Sequence, residues 1–183
     1  MTSEEFRNSI KRGRLQLSIT DMFSYFRISL LLFIISIFCL TTGFQSLTSA
    51  FYEDQPLGII GGTFLLITII HYYFLNRQLK IRSVSTTVSK EEFQQKINKL
   101  AKEQHWKTTT ISENFMEATL KRNGMNSRSF LDRSCGERIY IYKDTQTLYF
   151  KSMFDLDQNI EFTISSGENQ LNEKIIKSTF QSS

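Results

Sequence analysis

The chain has 183 residues, with 22 Lys and Arg against 18 Asp and Glu, a formal charge of +4. That length allows one domain of ordinary size with little left for a second. Two cysteines exclude a disulfide scaffold, and 22% charged residues is too ordinary for a disordered chain.

The mean hydropathy of −0.24 averages over two unlike parts, because most bulky aliphatic residues lie in the first 80 positions. Residues 1–21 read as a basic N-terminal segment carrying Lys11, Arg12 and Arg14. Residues 28–44, ISLLLFIISIFCLTTGF, carry no charge, and extending back to 22 adds only Arg27. A helix rises about 1.5 Å per residue, so about 20 apolar residues cross a 30 Å hydrocarbon core. The first predicted span is therefore 22–44, with Arg27 near one end, where its long stem carries the guanidinium toward the headgroups. A second uncharged run, residues 57–75, predicts a second span, with Tyr72 and Tyr73 placed for an interfacial aromatic belt.

Charge orients the pair. Lys11, Arg12, Arg14 and Arg27 flank the first span, and Arg77, Lys80 and Arg82 follow the second. The connector, residues 45–56, has no cation and carries Glu53 and Asp54. The positive-inside rule then puts both termini in the cytoplasm, with the spans forming an antiparallel hairpin in a cell (inner) membrane. A cleaved signal peptide ending at Ala50 is the rival reading. It is disfavoured by the long basic lead, the length of the apolar run and the second span close behind it. Gly58 and Gly62 form a G-x-x-x-G pair, the spacing that lets helix backbones approach, with Ser36 and Cys39 as their expected partners on the first span.

Residues 83–183 read as a cytoplasmic α+β domain, an antiparallel sheet covered by helices. A β-branched stretch at 83–88 predicts a strand. Ser89 with Glu92 is a capping box opening a helix whose inward stripe is Phe93, Ile97, Leu100 and Ala101. Strands are predicted at 106–111 and 115–121, and a loop at 123–136. The hairpin 138–142 and 147–151 follows, then a strand at 160–164. A final helix, 169–180, is expected to turn Leu171, Ile175, Ile176 and Phe180 inward. With the pattern SKEEFQQKINKLAKEQHW at 89–106, GERIYIY at 136–142, LYFKS at 148–152 and NQLNEKI at 169–175, the chain resembles small bacterial two-span integral membrane proteins of unassigned function. The resemblance implies location and architecture, and no activity.

Catalysis needs a positioned nucleophile, an acid–base pair or a metal. His71, His105, Cys39 and Cys135 are too dispersed for ligand spacing, and His105 is the sole available base for Cys135. His71 reads as an interfacial polar aromatic and Cys39 as a packing residue, with a proton-sensitive His71 as the functional alternative. Asp155, Asp157, Asn159 and Glu161 alternate like a calcium loop, but Ile160 and Ser166 occupy the positions that need Gly and Glu. No metal, cofactor or catalytic residue is expected. Tyr140, Tyr142, Tyr149 and Phe150 alternate in direction along their strands, which argues against a nucleic-acid platform. The sequence thus predicts a non-enzymatic membrane protein anchoring a small domain that binds a partner or lipid headgroups. The alternative is an accessory or regulatory subunit of a transport or envelope complex, meeting a protein partner or a second copy through the spans.

Overall fold

The computed structural model describes residues 1–48, 55–121, 136–157 and 167–181, and the side chains of all of these except 44–48 and 55–56. In chain order the elements are α1 (Ser3–Lys11), α2 (Ile19–Thr48), α3 (Gln55–Gln78), β1 (Arg82–Ser85), α4 (Lys90–Glu103), β2 (Lys107–Ile111), β3 (Phe115–Lys121), β4 (Gly136–Lys143), β5 (Thr147–Phe154) and α5 (Glu168–Gln181). They form two compact units: Leu17–Gln78, and Met1–Gln16 together with Leu79–Ser183. The predicted strand at 160–164, most of the loop at 123–136 and Cys135 lie outside the described residues.

The first unit is the helical hairpin. Its segments Ile19–Gly43 and Leu57–Gln78, of 25 and 22 residues, are long and apolar enough to cross a membrane, running about 37 and 33 Å. Their apolar side chains point in every direction, and Ile34, Phe38, Ile59 and Leu66 stay exposed. A helix that is apolar all round cannot use hydrophobic burial against one neighbour to fix its rotation, so small residues do so here. Ser29, Ser36 and Gly43 recur every seven positions on α2, Gly61 and Thr68 every seven on α3, and all are buried. A seven-residue repeat keeps one stripe facing the partner when two helices wrap left-handed around each other.

The second unit is a five-stranded antiparallel sheet in the order β1-β5-β4-β3-β2. The predicted capping box is present, Ser89 Oγ accepting from Glu92 N at 3.2 Å and Ser89 N donating to Glu92 Oε2 at 3.1 Å. It aims the α4 stripe at one sheet face, where Phe93, Ile97, Leu100 and Trp106 join Met116, Ala118, Ile139, Ile141, Leu148, Phe150, Ile176 and Phe180 in one core. Ile175 packs at its edge. Leu171 is a correction, since it is 53% exposed. The first two turns of α5 instead bury Asn169, Asn172 and Glu173, which bond Lys151 and Ser152 of β5.

The other sheet face is covered by an element the sequence reading left in a membrane-surface segment. Helix α1 carries Phe6, fully buried, onto Phe115 and Tyr140 at centroid distances of 5.8 and 5.6 Å. Thr2 and Glu5 form a capping box for α1, and the helix ends at Gly13, where φ is +68°. Gly13 N then donates to Ile10 O and Arg14 N to Ser9 O, a closure that needs a left-handed residue in the turn. The chain leaves it as a short ladder: Leu15 N bonds Leu79 O at 2.9 Å and Ile81 N bonds Gly13 O at 3.1 Å. The domain boundary therefore shifts. The compact unit is not 83–183 alone but includes Met1–Gln16 and begins its second segment at Leu79.

Candidate functional site

Two places collect the residues singled out by sequence, the seam of the hairpin and the ladder that joins residues 13–15 to 79–81. In the seam, Ser36 Oγ donates to Gly61 O at 2.9 Å. Tyr25 Oη donates to Leu75 O at 3.3 Å, and Ser29 Oγ shares a 2.8 Å hydrogen bond with His71 Nδ1. His71 is thus tied to the facing helix. Cys39 packs in the same seam and is buried.

The glycines need a correction. A Cβ on Gly61 would lie 2.8 Å from Leu40 N and 2.9 Å from Leu40 Cγ, and one on Gly43 would lie 2.6 Å from Gly58 N. Gly61 and Gly43 are therefore the positions that only glycine fits. A Cβ at Gly58 or Gly62 would meet nothing within 4 Å. Gly58 contributes its backbone to the contact with Gly43, while Gly62 is exposed and turned away from α2. Of the G-x-x-x-G pair, Gly58 thus lies at the contact with α2 and Gly62 does not. The inward signal was the seven-residue spacing of Ser29, Ser36 and Gly43.

The second place is the ladder. Lys11 and Arg12 close α1, Arg14 pairs with Lys80 as an isolated β-bridge, and Arg82 opens β1. All five side chains are exposed, while Leu15 and Leu79 between them are buried. The ladder so sets Arg14 against Lys80, more than sixty positions apart in sequence, and Lys11, Arg12 and Arg82 lie within two residues of it along the chain, a basic collar. Arg27 and Arg77 belong to the helices of the hairpin.

Inside the sheet unit a buried polar network fixes α5. Lys151 Nζ donates to Glu173 Oε1 at 2.5 Å, Arg82 Nε lies 3.5 Å from Glu173 Oε2, and Ser152 N donates to Glu173 Oε1 at 3.4 Å. Ser152 Oγ is bonded by both Asn169 and Asn172. Burial draws the Lys151 pKa below the ordinary lysine range, with the Glu173 carboxylate pulling the other way. Strand β1 begins beside Phe150, so among the described residues β5 beyond it has no strand neighbour on that side, and Glu173 supplies an acceptor to the buried Ser152 N.

The remaining sequence candidates resolve into structural roles. His105 sits at φ +55° as the left-handed residue ending α4, where Trp106 N donates to Ala101 O at 2.8 Å. Asp155 and Asp157 hold Arg138 at 2.7 and 2.8 Å instead of a cation. Among the described residues no group of three or more His, Cys, Asp or Glu is placed to hold a metal ion. The ladder presents five exposed basic side chains on the sheet unit. No family model matches the chain, and no curated protein or solved structure matches it either.

Proposed function

We propose that the chain is a non-enzymatic integral membrane protein whose two helices span the bilayer and whose sheet unit stands on the cytoplasmic side, bound to anionic lipid headgroups through its basic collar. The carrying observation is the exposure of apolar side chains all around two helices of membrane-crossing length. Soluble proteins rarely expose contiguous apolar patches of more than a few hundred Å², and a bilayer removes that cost. Lys11, Arg12, Arg14, Lys80 and Arg82 lie on the flanks of the hairpin, and the positive-inside rule favours keeping such flanks in the cytoplasm. Near an anionic leaflet each gains about 1 kcal/mol.

The test combines location, topology and headgroup. The chain should stay with membranes through alkaline carbonate extraction. A cysteine at Ser49 should react with an impermeant thiol reagent outside intact cells, while Cys135 should not. In nanodiscs, amides of residues 11–16 and 79–82 should exchange more slowly with phosphatidylglycerol than with phosphatidylcholine. Equal exchange in the two lipids would remove the headgroup assignment, and labelling of Cys135 would reverse the orientation.

A second reading, an accessory subunit of a transport or envelope complex, is favoured by the outward stripe of Gly62 and Thr63, both exposed and unused by α2. Small residues there would let a further span approach. Cross-linking and mass spectrometry of the membrane-extracted protein separate the two. A partner cross-linked to α3 supports the second, and cross-links confined to the sheet unit support the first.

A further inference from the structure

The hairpin carries a groove of about 460 Å³ on one side of the seam, within the range of small-molecule sites, about 300–1,000 Å³. Leu30 and Phe33 of α2 and Ile69 of α3 wall it, and the rings of Phe26 and Tyr72 meet across it at 5.1 Å. Its polar floor atoms are already occupied: Thr68 Oγ1 donates to Phe64 O at 2.8 Å, and Ser29 Oγ bonds His71. Apart from the Tyr72 hydroxyl the groove offers almost only carbon surface, so its occupant is a hydrocarbon. On α2 it extends from Met22 to Phe33, about 16 Å of helix, which is half of a bilayer's 30 Å hydrocarbon core. A second helix would need a seat running the whole span. This one has the depth of a single leaflet.

Charge identifies the lipid. The charged residues of α2 and α3 are Asp21, Arg27 and Arg77, a net positive set in which Asp21 and Arg77 lie beyond the groove's shallow end and Arg27 lies along its α2 side. Arg27 lies one helical turn from both Phe23 and Leu30, beside the groove on the α2 surface, where its stem reaches toward the headgroup layer. We propose that this groove seats one acyl chain of an anionic phospholipid, whose phosphate is met by Arg27. This rests on the reading of the two helices as spans.

The test uses the full chain, extracted in mild detergent, exchanged against palmitoyl-oleoyl phosphatidylglycerol or phosphatidylcholine and weighed by native mass spectrometry. One phosphatidylglycerol per chain should be retained, about fivefold over phosphatidylcholine, the factor given by one cation near an anionic headgroup. Leu30→Trp combined with Ile69→Trp fills the groove from its walls and should abolish retention. Arg27→Gln should equalise the two lipids. Ile59→Trp, at an exposed position away from the groove, should change nothing and controls for an added ring. Equal retention of both lipids by the unaltered chain, undiminished retention by the filled variant, detergent in place of lipid throughout, or a lipid-free dimer would each overturn the assignment. If the protein is released by alkaline carbonate, the spans themselves are wrong. If it is retained there but keeps no lipid, the spans stand and only the groove assignment falls.

Discussion

Helices α1 and α4 end in the same hydrogen-bonded turn, yet one uses Gly13 at φ +68° and the other His105 at φ +55°. A side chain in that left-handed region costs about 1–2 kcal/mol, partly offset by the extra freedom glycine has when unfolded. His105→Gly should therefore stabilise the sheet unit by about 0.5–1 kcal/mol in urea denaturation; a loss of stability would mean that the imidazole makes a contact worth more than its strain. Phe6 and Phe93 fill opposite sides of the sheet, at 0% and 1% exposure. Either one changed to Ala should cost about 3–5 kcal/mol. Lys99→Ala, on the solvent side of α4 and in a 3.9 Å i,i+4 pair with Glu103, should shift stability by no more than about 0.5 kcal/mol. A small effect of Phe6→Ala would detach α1 from the sheet.

At the scale of elements, three attachments decide the structure. Helix α1 is set by its capping box, in which Thr2 N donates to Glu5 Oε2 at 2.7 Å. That backbone bond holds the Glu5 pKa below its ordinary value. Folding then disfavours the proton, so the contribution is present above the ordinary carboxylate range and is lost as pH falls through it. Glu5→Gln should flatten this part of the acid dependence and lower neutral-pH stability by the same small contribution; an identical acid profile would assign the dependence to other carboxylates. Helix α5 is held by the buried Lys151–Glu173 pair. Glu173→Ala alone strands an ammonium and should cost about 3–5 kcal/mol, whereas Lys151→Met with Glu173→Leu should cost far less. The seam of α2 and α3 depends on Gly61. Gly61→Ile should lower the detergent unfolding midpoint of the hairpin, because the side chain has backbone at 2.8 Å, and Gly62→Ile should not. Equal effects at both positions would mean that α3 is rotated from its place here.

At the scale of the whole molecule, the sheet unit is assembled from both sides of the hairpin in sequence, Met1–Gln16 and Leu79–Ser183. A fragment of 83–183 lacks the cover over Phe115 and Tyr140 and the partner of Leu15. Joining 1–16 to 79–183 through a short flexible linker restores both. The joined form should unfold cooperatively with Trp106 as the fluorescent probe, and the shorter fragment should be less stable by several kcal/mol, the scale of one emptied aromatic site or more. If the two forms are equally stable, α1 is only an accessory to the sheet.

Sequence alone determined the features that depend on local order. Two apolar runs of about the length that crosses a bilayer's hydrocarbon core are visible without any fold, because helix length is a linear function of residue number. So were the capping box at Ser89, the inward stripe of α4 and the β4–β5 hairpin, each set by neighbours within about eight positions. Tertiary structure decided what faces what. Helix α1 looks like a charged tail, and only its docking reveals Phe6 as a core residue, because Phe6 and Ile10 alone in a nine-residue polar helix make too short a stripe to mark a buried face. Helix α3 has small residues at 58, 61, 62 and 63, and on an apolar helix nothing in sequence says which of them turns inward. The facing helix chose Gly58 and Gly61, because α2 presents its Ser29–Ser36–Gly43 stripe at a register that brings Gly58 against Gly43 and leaves no room for a Cβ on Gly61. The basic collar likewise came from the ladder of 13–15 with 79–81, a pairing that couples residues too distant for any sequence pattern to link.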